Sequence, residues 1–159
     1  MPADLRSLPY RVASPLLAAW RWVRRPTVPG VRCVVVRRGE GLLVRHTYGD
    51  RRWAWPGGLM RRGEAAEAAA RREVREELGL DIAGWRALGR LDQRGPDRAH
   101  HVVWSFVAAA GDGEVDPKAA EIAEVRWCPL DDLPGETIDG TREIARWARA
   151  ALAGERGTP

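Results

Sequence analysis

Glu73, Glu76 and Glu77 stand three and four positions apart in a stretch rich in Ala, Glu, Arg and Leu, so on a helix their three carboxylates share one face. Like charges so placed repel by roughly a few tenths of a kcal/mol per pair, and three together call for a cation. The chain offers two sources. Arg71, Arg72 and Arg75 interleave with the glutamates and Arg72 pairs with Glu76 at i,i+4, which would make this a solvated, salt-bridged helix. Alternatively the oxygens hold a hard divalent cation, Mg²⁺ with Mn²⁺ as a substitute, bound through a few carboxylates, waters and substrate phosphates. Pro56-Gly57-Gly58, just ahead of the helix, favours the second source because glycine lets backbone approach an ion or phosphate closely. No Cys/His cluster has the spacing of a zinc site.

The helix that must carry these groups is expected over residues 64–78. Strong helix formers fill it, Gly79 sits where a C-terminal glycine cap belongs, and Ala66, Ala70, Val74 and Leu78 make a narrow apolar stripe to lay on a sheet. Strands are expected at residues 31–37 and 42–45, joined by a Gly39-Glu40-Gly41 turn, and at 52–55, where Pro56-Gly57-Gly58 ends the ladder. Further strands are expected at 85–91, 101–109 and 125–128. A last helix over 141–153 carries Ile144, Trp147, Ala148 and Leu152 on one face. Ahead of all this, Leu16, Leu17, Trp20 and Val23 predict a short amphipathic helix over 14–25 with an arginine-rich outer face, suited to packing on the body or to a membrane surface. The expected organisation is one domain over 1–159, with residues 1–28 a helical extension and 154–159 a frayed tail. Intermixed strands and helices read as an α/β (α+β) arrangement with a mixed sheet between helices.

From Gly58 the chain runs GLMRRGEAAEAAARREVREELGL, which resembles the complete signature box of the Nudix (MutT-like) hydrolases: Gly58, Glu64, Arg72, Glu73, Val74, Glu76, Glu77, Gly79 and Leu80 all fit, with no departure. The approach from Trp53 to Gly58, the early hairpin and Glu124-Val125-Arg126-Trp127 resemble the family as well. The resemblance implies an αβα sandwich in which the box forms a loop-helix-loop beside the sheet. It implies Glu76 and Glu77 as principal metal ligands, Glu73 as a ligand or the base that activates water, and a backbone carbonyl near Gly57 or Gly58 completing the coordination. Arg72 would orient a glutamate and Glu64 would hold the loop by ion pairing. The implied reaction is Mg²⁺-dependent hydrolysis of a nucleoside diphosphate linked to another moiety X, giving a nucleoside monophosphate and phosphorylated X. A metal suits that reaction because it neutralises phosphate charge and aligns in-line attack.

Family members often recruit a further acid beyond the box; Glu114, Glu121 and Glu124 are the candidates and Glu121 is favoured, against the plainer reading of a surface acid. Trp53 and Trp55 alternate with Ala54 on a strand and so point the same way, where one could stack on a nucleotide base, with Arg45 as a cation for substrate. Trp20, Trp127 and Trp147 read as packing. Pro96, sixteen positions after Leu80, resembles a pattern in ADP-ribose-cleaving members, yet a turn proline in Gly-Pro-Asp is the favoured explanation. His46, His100 and His101 are pocket candidates or simply exposed, hydrogen-bonded histidines.

With 159 residues, 45% apolar, the chain can bury one sizeable core. Cys33 and Cys128 read as buried free thiols rather than a disulfide framework, which points to a reducing compartment. The apolar run 12–20 is broken by Ser14 and Pro15 and has no cleavage site, and nothing approaches the roughly 18 apolar residues of a membrane span, so a cytoplasmic location is expected. Net charge is +4, nearly all of the positive charge being arginine, since Lys118 is the single lysine. An anionic partner fits: a free nucleotide such as ADP-ribose, another nucleotide sugar or a (d)NTP, or else nucleic acid, bound or trimmed at an RNA 5′ end. A non-catalytic nucleotide-sensing module stays open as a third reading, and so does a homodimer.

Overall fold

The computed structural model describes residues 27–49, 51–94 and 99–154. The amphipathic helix over 14–25 with Trp20, the Pro96 turn and the tail beyond residue 154 lie outside them.

In the described residues six strands and two helices follow in the order β1 (Thr27–Arg37), β2 (Glu40–His46), β3 (Trp53–Ala54), α1 (Ala66–Leu78), β4 (Arg86–Arg94), β5 (His100–Ala109), β6 (Ile122–Pro129) and α2 (Thr141–Leu152). The strands form one sheet ordered β3-β2-β1-β5-β4, with β6 paired to the far side of β2. It is mixed: β1 runs parallel to β5 and antiparallel to β2, while β4–β5 and β2–β6 are antiparallel. Period-two alternation then sorts side chains to opposite faces. Val31, Cys33, Val35, Leu42 and Val44 meet Ala70, Val74 and Leu78 of α1 on one face. Val34, Val36, Leu43, Trp53 and Trp55 meet Ile144, Ala145 and Ala148 of α2 on the other. This is the αβα sandwich the resemblance implied.

β1 and β2 pair directly only at the hairpin, through Val36 with Gly41 and Arg37 with Glu40. Farther along they part, and the segment from β3 to Gly58 enters between them: Val31 N–H donates to the Gly58 carbonyl at 2.9 Å and Cys33 N–H to that of Pro56 at 2.8 Å. The loop preceding α1 is thereby built into the sheet.

Two local expectations are corrected. The hairpin turns on Arg38 and Gly39, both at positive φ (51° and 86°), a geometry that matches strand twist in two-residue turns, so Glu40 and Gly41 already belong to β2. Gly41 is needed inside the strand instead, because a Cβ there would come within 2.7 Å of Leu130 and of the Trp55 ring. Second, α1 starts at Ala66 rather than Glu64, which serves the loop before the helix. Its C-terminal cap is as expected: Gly79 sits at φ 68° and donates its N–H to the Arg75 carbonyl. Cys33 and Cys128 are both buried and free. Among the described residues no helix is long and apolar enough to cross a membrane.

Candidate active site

The box loop and α1 are tied together by one side chain. Arg72 donates Nε to Glu64 Oε1 (2.8 Å), Nη2 to Glu64 Oε2 (2.9 Å) and to the Leu59 carbonyl (3.0 Å), and Nη1 to Glu73 Oε1 (2.6 Å) and Glu76 Oε2 (3.3 Å). That engages all five N–H groups of the guanidinium, a fork no lysine reproduces. Glu64 in turn accepts the Arg61 N–H at 2.7 Å, and the Arg72 guanidinium above all holds its carboxyl down to about 2. Arg72, bonded to Glu64 and Glu73, is itself pushed further toward the charged form.

Glu77 lies apart from this hub. It falls on the buried side of α1, 3% exposed, with Oε2 accepting the Gly57 N–H at 2.9 Å. Burial pushes its carboxyl up to about 7, against the pull of the Gly57 amide and Arg32 and with the push of Glu73 and Glu121. A buried carboxylate that ionises near neutrality in an acidic neighbourhood is a group in want of a cation.

The two glycines of the preceding loop are constrained differently, Gly57 by backbone and Gly58 by the Glu73 side chain. At Gly57 (φ 141°) a Cβ would lie 2.2 Å from the Val31 carbonyl; at Gly58 it would lie 2.7 Å from the carboxylate atoms of Glu73. The resemblance implied a coordinating carbonyl near Gly57 or Gly58. The Gly58 oxygen accepts the Val31 N–H within the sheet and the Gly57 oxygen accepts Arg32 Nη1 at 3.0 Å, so each keeps one lone pair. Of the acids outside the box, Glu121 is within electrostatic reach of Glu77, on a loop fastened by the Lys118 N–H to the Glu77 carbonyl and by Thr47 N–H to the Glu121 carbonyl. Glu124 faces Arg45 across β2–β6 at 3.2 Å, and Glu114 is exposed on the loop before Asp116.

Carboxylates and a backbone carbonyl are hard oxygen donors of the kind Mg²⁺ and Mn²⁺ take, and two of these acids already draw a cation: Lys118 Nζ is 2.6 Å from Glu121 Oε1 and Arg61 Nη2 3.2 Å from Glu76 Oε1. The residues therefore fit a divalent cation, although among the described residues no three acidic, histidine or cysteine side chains converge on a ready-made coordination point.

The two candidate tryptophans point to the same face, as their alternation required, but it is the α2 face of the core. Trp53 has its ring under the Arg45 guanidinium at 4.5 Å, so neither offers the free stacking platform expected of that pair. Trp55, 0% exposed, donates Nε1–H to the Thr141 carbonyl and walls a cavity of about 110 Å³. The same cavity is lined by Arg32, Gln93, His101, Asp139 and Thr141 at the start of α2. His100 instead pairs with Asp92 at 3.3 Å. Sequence reasoning missed Arg32, whose only signal was a cation interrupting a β-branched run; it reaches from the cavity to the Gly57 carbonyl.

The family model described as NUDIX domain matches residues 26–148. The chain belongs to the Nudix family. The matched range takes in the paired glycines, the carboxylate hub and the capped helix. Among relatives, the Nudix chain is 32% identical over 137 residues to the NAD-capped RNA hydrolase NudC of Pseudomonas syringae, covering 84% of this chain and 48% of that protein. It spans about half the length of the curated relatives it matches. Among solved structures it is similar to a MutT Nudix hydrolase from Burkholderia pseudomallei (TM-score 0.70, 28% identity, covering 76% of this chain and 97% of that one). It is also similar to a UDP-X diphosphatase (TM-score 0.65, 25% identity, 83% and 65% covered).

Proposed function

We propose that this Nudix chain hydrolyses a pyrophosphate bond in a nucleoside diphosphate derivative, releasing a nucleoside monophosphate and phosphorylated X. The observation that carries the reading is the pairing of a saturated Arg72 hub with a buried, incompletely compensated Glu77 beside the Gly57 amide. A divalent cation, held by Glu76, Glu77 and Glu73 with the Gly57 carbonyl and Glu121 as further donors, would neutralise phosphate charge and make water nucleophilic at neutral pH. The chain's own residues do the rest. Arg72 holds Glu73 and Glu76 in fixed directions, and Glu73 accepts the proton of the water whose oxygen bonds phosphorus as the bridging P–O bond breaks. Arg32 faces the phosphates from the cavity side, and the cavity takes the nucleoside. Its volume, small against the roughly 300–1,000 Å³ of a full ligand pocket, suits one base and leaves X over the acidic cluster.

The test is product release from ADP-ribose, other nucleotide sugars, dinucleoside polyphosphates and (d)NTPs, each with Mg²⁺ and with EDTA. Mg²⁺-dependent turnover that Glu77→Gln nearly abolishes, with the far-UV spectrum unchanged, is the expected result; wild-type-like turnover by Glu77→Gln overturns the ligand assignment. Binding without turnover across the panel favours a sensing module. The likeness to NAD-capped RNA hydrolases supports a second reading, removal of an RNA 5′ cap or pyrophosphate, and 5′-capped and 5′-triphosphorylated RNA belong in the same panel.

A further inference from the structure

The segment that follows β5 fastens to the end of α1: Asp116 N–H donates to the Leu78 carbonyl and Lys118 N–H to the Glu77 carbonyl, each at 2.9 Å. Two carbonyls that a helix end leaves open are satisfied in this way, and the backbone of Lys118 is pinned to that of Glu77. The chain then turns on itself, because the Lys118 carbonyl accepts the N–H groups of Glu121 and Ile122, both at 2.8 Å. The turn sets Lys118 and Glu121 side by side, with the ammonium Nζ 2.6 Å from Glu121 Oε1. Glu121 above all acts on that charge, and Glu76 acts on it as well. Residue type at this position is singular too, since Lys118 is the one lysine among 26 lysines and arginines. Where a cation is held still the fold uses arginine, as in the five bonds of Arg72. An ammonium on a four-carbon stem has three donors free to rotate, so it can leave one oxygen for another without breaking a fork. The pair is about half exposed, and such pairs contribute little to stability, so its exchange costs the fold little.

We propose that Lys118 is a movable counter-ion of the acidic site: it holds Glu121 while no metal is bound and turns to the substrate's phosphates once a divalent cation takes that carboxylate. The inference rests on the function proposed above, in which Glu121 is a donor to the metal. A divalent cation and an ammonium on the same carboxylate repel each other, so the metal must displace Lys118 to use Glu121. Pinned by its backbone to Glu77, the displaced side chain stays beside the cluster over which the pyrophosphate lies, and phosphate oxygens are the acceptors it meets there. No covalent bond changes in this exchange; Glu121 trades one cation for another, and Lys118 trades a carboxylate for a phosphate.

The experiment measures Mn²⁺ binding by electron paramagnetic resonance, without substrate, on the wild-type chain, Lys118→Met, Lys118→Arg, Glu121→Gln, the Lys118→Met/Glu121→Gln double variant and Glu77→Gln, with Tm of each. Calorimetry at saturating Mn²⁺ then gives the Kd for imidodiphosphate, a pyrophosphate analogue whose bridging oxygen is replaced by nitrogen. Expected is a Kd for Mn²⁺ lowered at least about threefold in Lys118→Met, with no such gain when Glu121 is already Gln, so that the cycle couples the two residues. The Kd for imidodiphosphate should rise at least about tenfold in Lys118→Met, as for a lost charged hydrogen bond, and far less in Lys118→Arg, which keeps the charge. Wild-type affinity for both probes in Lys118→Met makes the ion pair a solvated surface contact and overturns the proposal. Weaker Mn²⁺ binding in Lys118→Met with a lowered Tm makes Lys118 a support of its loop and overturns it as well, as does tighter Mn²⁺ binding with imidodiphosphate unaffected. Wild-type Mn²⁺ affinity in Glu121→Gln, with Glu77→Gln impaired, overturns this inference alone. Unchanged affinity in Glu77→Gln overturns the metal reading beneath it.

Discussion

At the residue scale the site is governed by how arginine and burial divide four carboxylates. Arg72→Lys keeps the charge and loses the fork, so Glu73 and Glu76 lose their fixed directions; misplacement of about an ångström commonly costs on the order of 100-fold in rate, and kcat should fall by that order, with Tm lowered as well because the tie between the box loop and α1 is loosened. Glu77 behaves oppositely to Glu64 with pH. Its folded value of about 7 exceeds the ordinary 4.5, so its contribution to stability is complete below about pH 4.5 and is lost as pH rises through about 7. That loss is on the order of 3 kcal/mol by linkage. Urea unfolding of the metal-free chain should therefore show stability declining between pH 5 and 8, a decline that Mg²⁺ offsets and Glu77→Gln removes. A flat profile in the wild type would contradict the burial argument. Glu64, held to about 2 chiefly by Arg72, contributes stability that is present above about 4.5 and disappears only as pH falls through about 2.

At the element scale the box works because a glycine loop and a helix are pressed together. Gly58→Ala would place a methyl against the Glu73 carboxylate, and the expected outcome is a displaced Glu73, kcat lowered by more than about tenfold and a far-UV spectrum like that of the wild type. Much of this was legible beforehand: the helix, its Gly79 cap and its three acids follow from propensity and spacing. What was not legible is that Glu77 falls inward. The apolar stripe was drawn through Ala66, Ala70, Val74 and Leu78, but the buried face also takes Ala69 and Glu77, and a stripe read from apolar residues alone has no place for a buried acid. Trp53 and Trp55 failed differently. Alternation fixed their common face, while the identity of that face depended on α2, which lies over eighty residues away in the chain. Arg32, Gln93, His101 and Asp139 converge for the same reason, through pairings between distant strands that local patterns do not encode.

At the scale of the whole molecule the sheet separates two cores, and the site draws on both. Gly41 faces the α2-side core at the hairpin, under Trp55 and Leu130. Gly41→Ala should overpack that side by about 1–3 kcal/mol, read as a lowered urea midpoint, while leaving the response to Mg²⁺ intact, because α1 and its carboxylates lie on the other face. The segment wedged between β1 and β2 has a different consequence. The amides of Val31 and Cys33 are bonded to the Gly58 and Pro56 carbonyls rather than to a neighbouring full strand, so the loop that precedes the acidic helix opens only when the central strand opens. Their protons should therefore exchange with deuterated solvent on the timescale of global unfolding, hours rather than minutes, with or without metal. A catalytic loop with the exchange protection of a core strand cannot act as a lid, so motion that admits substrate or lets product go belongs to other parts of the chain.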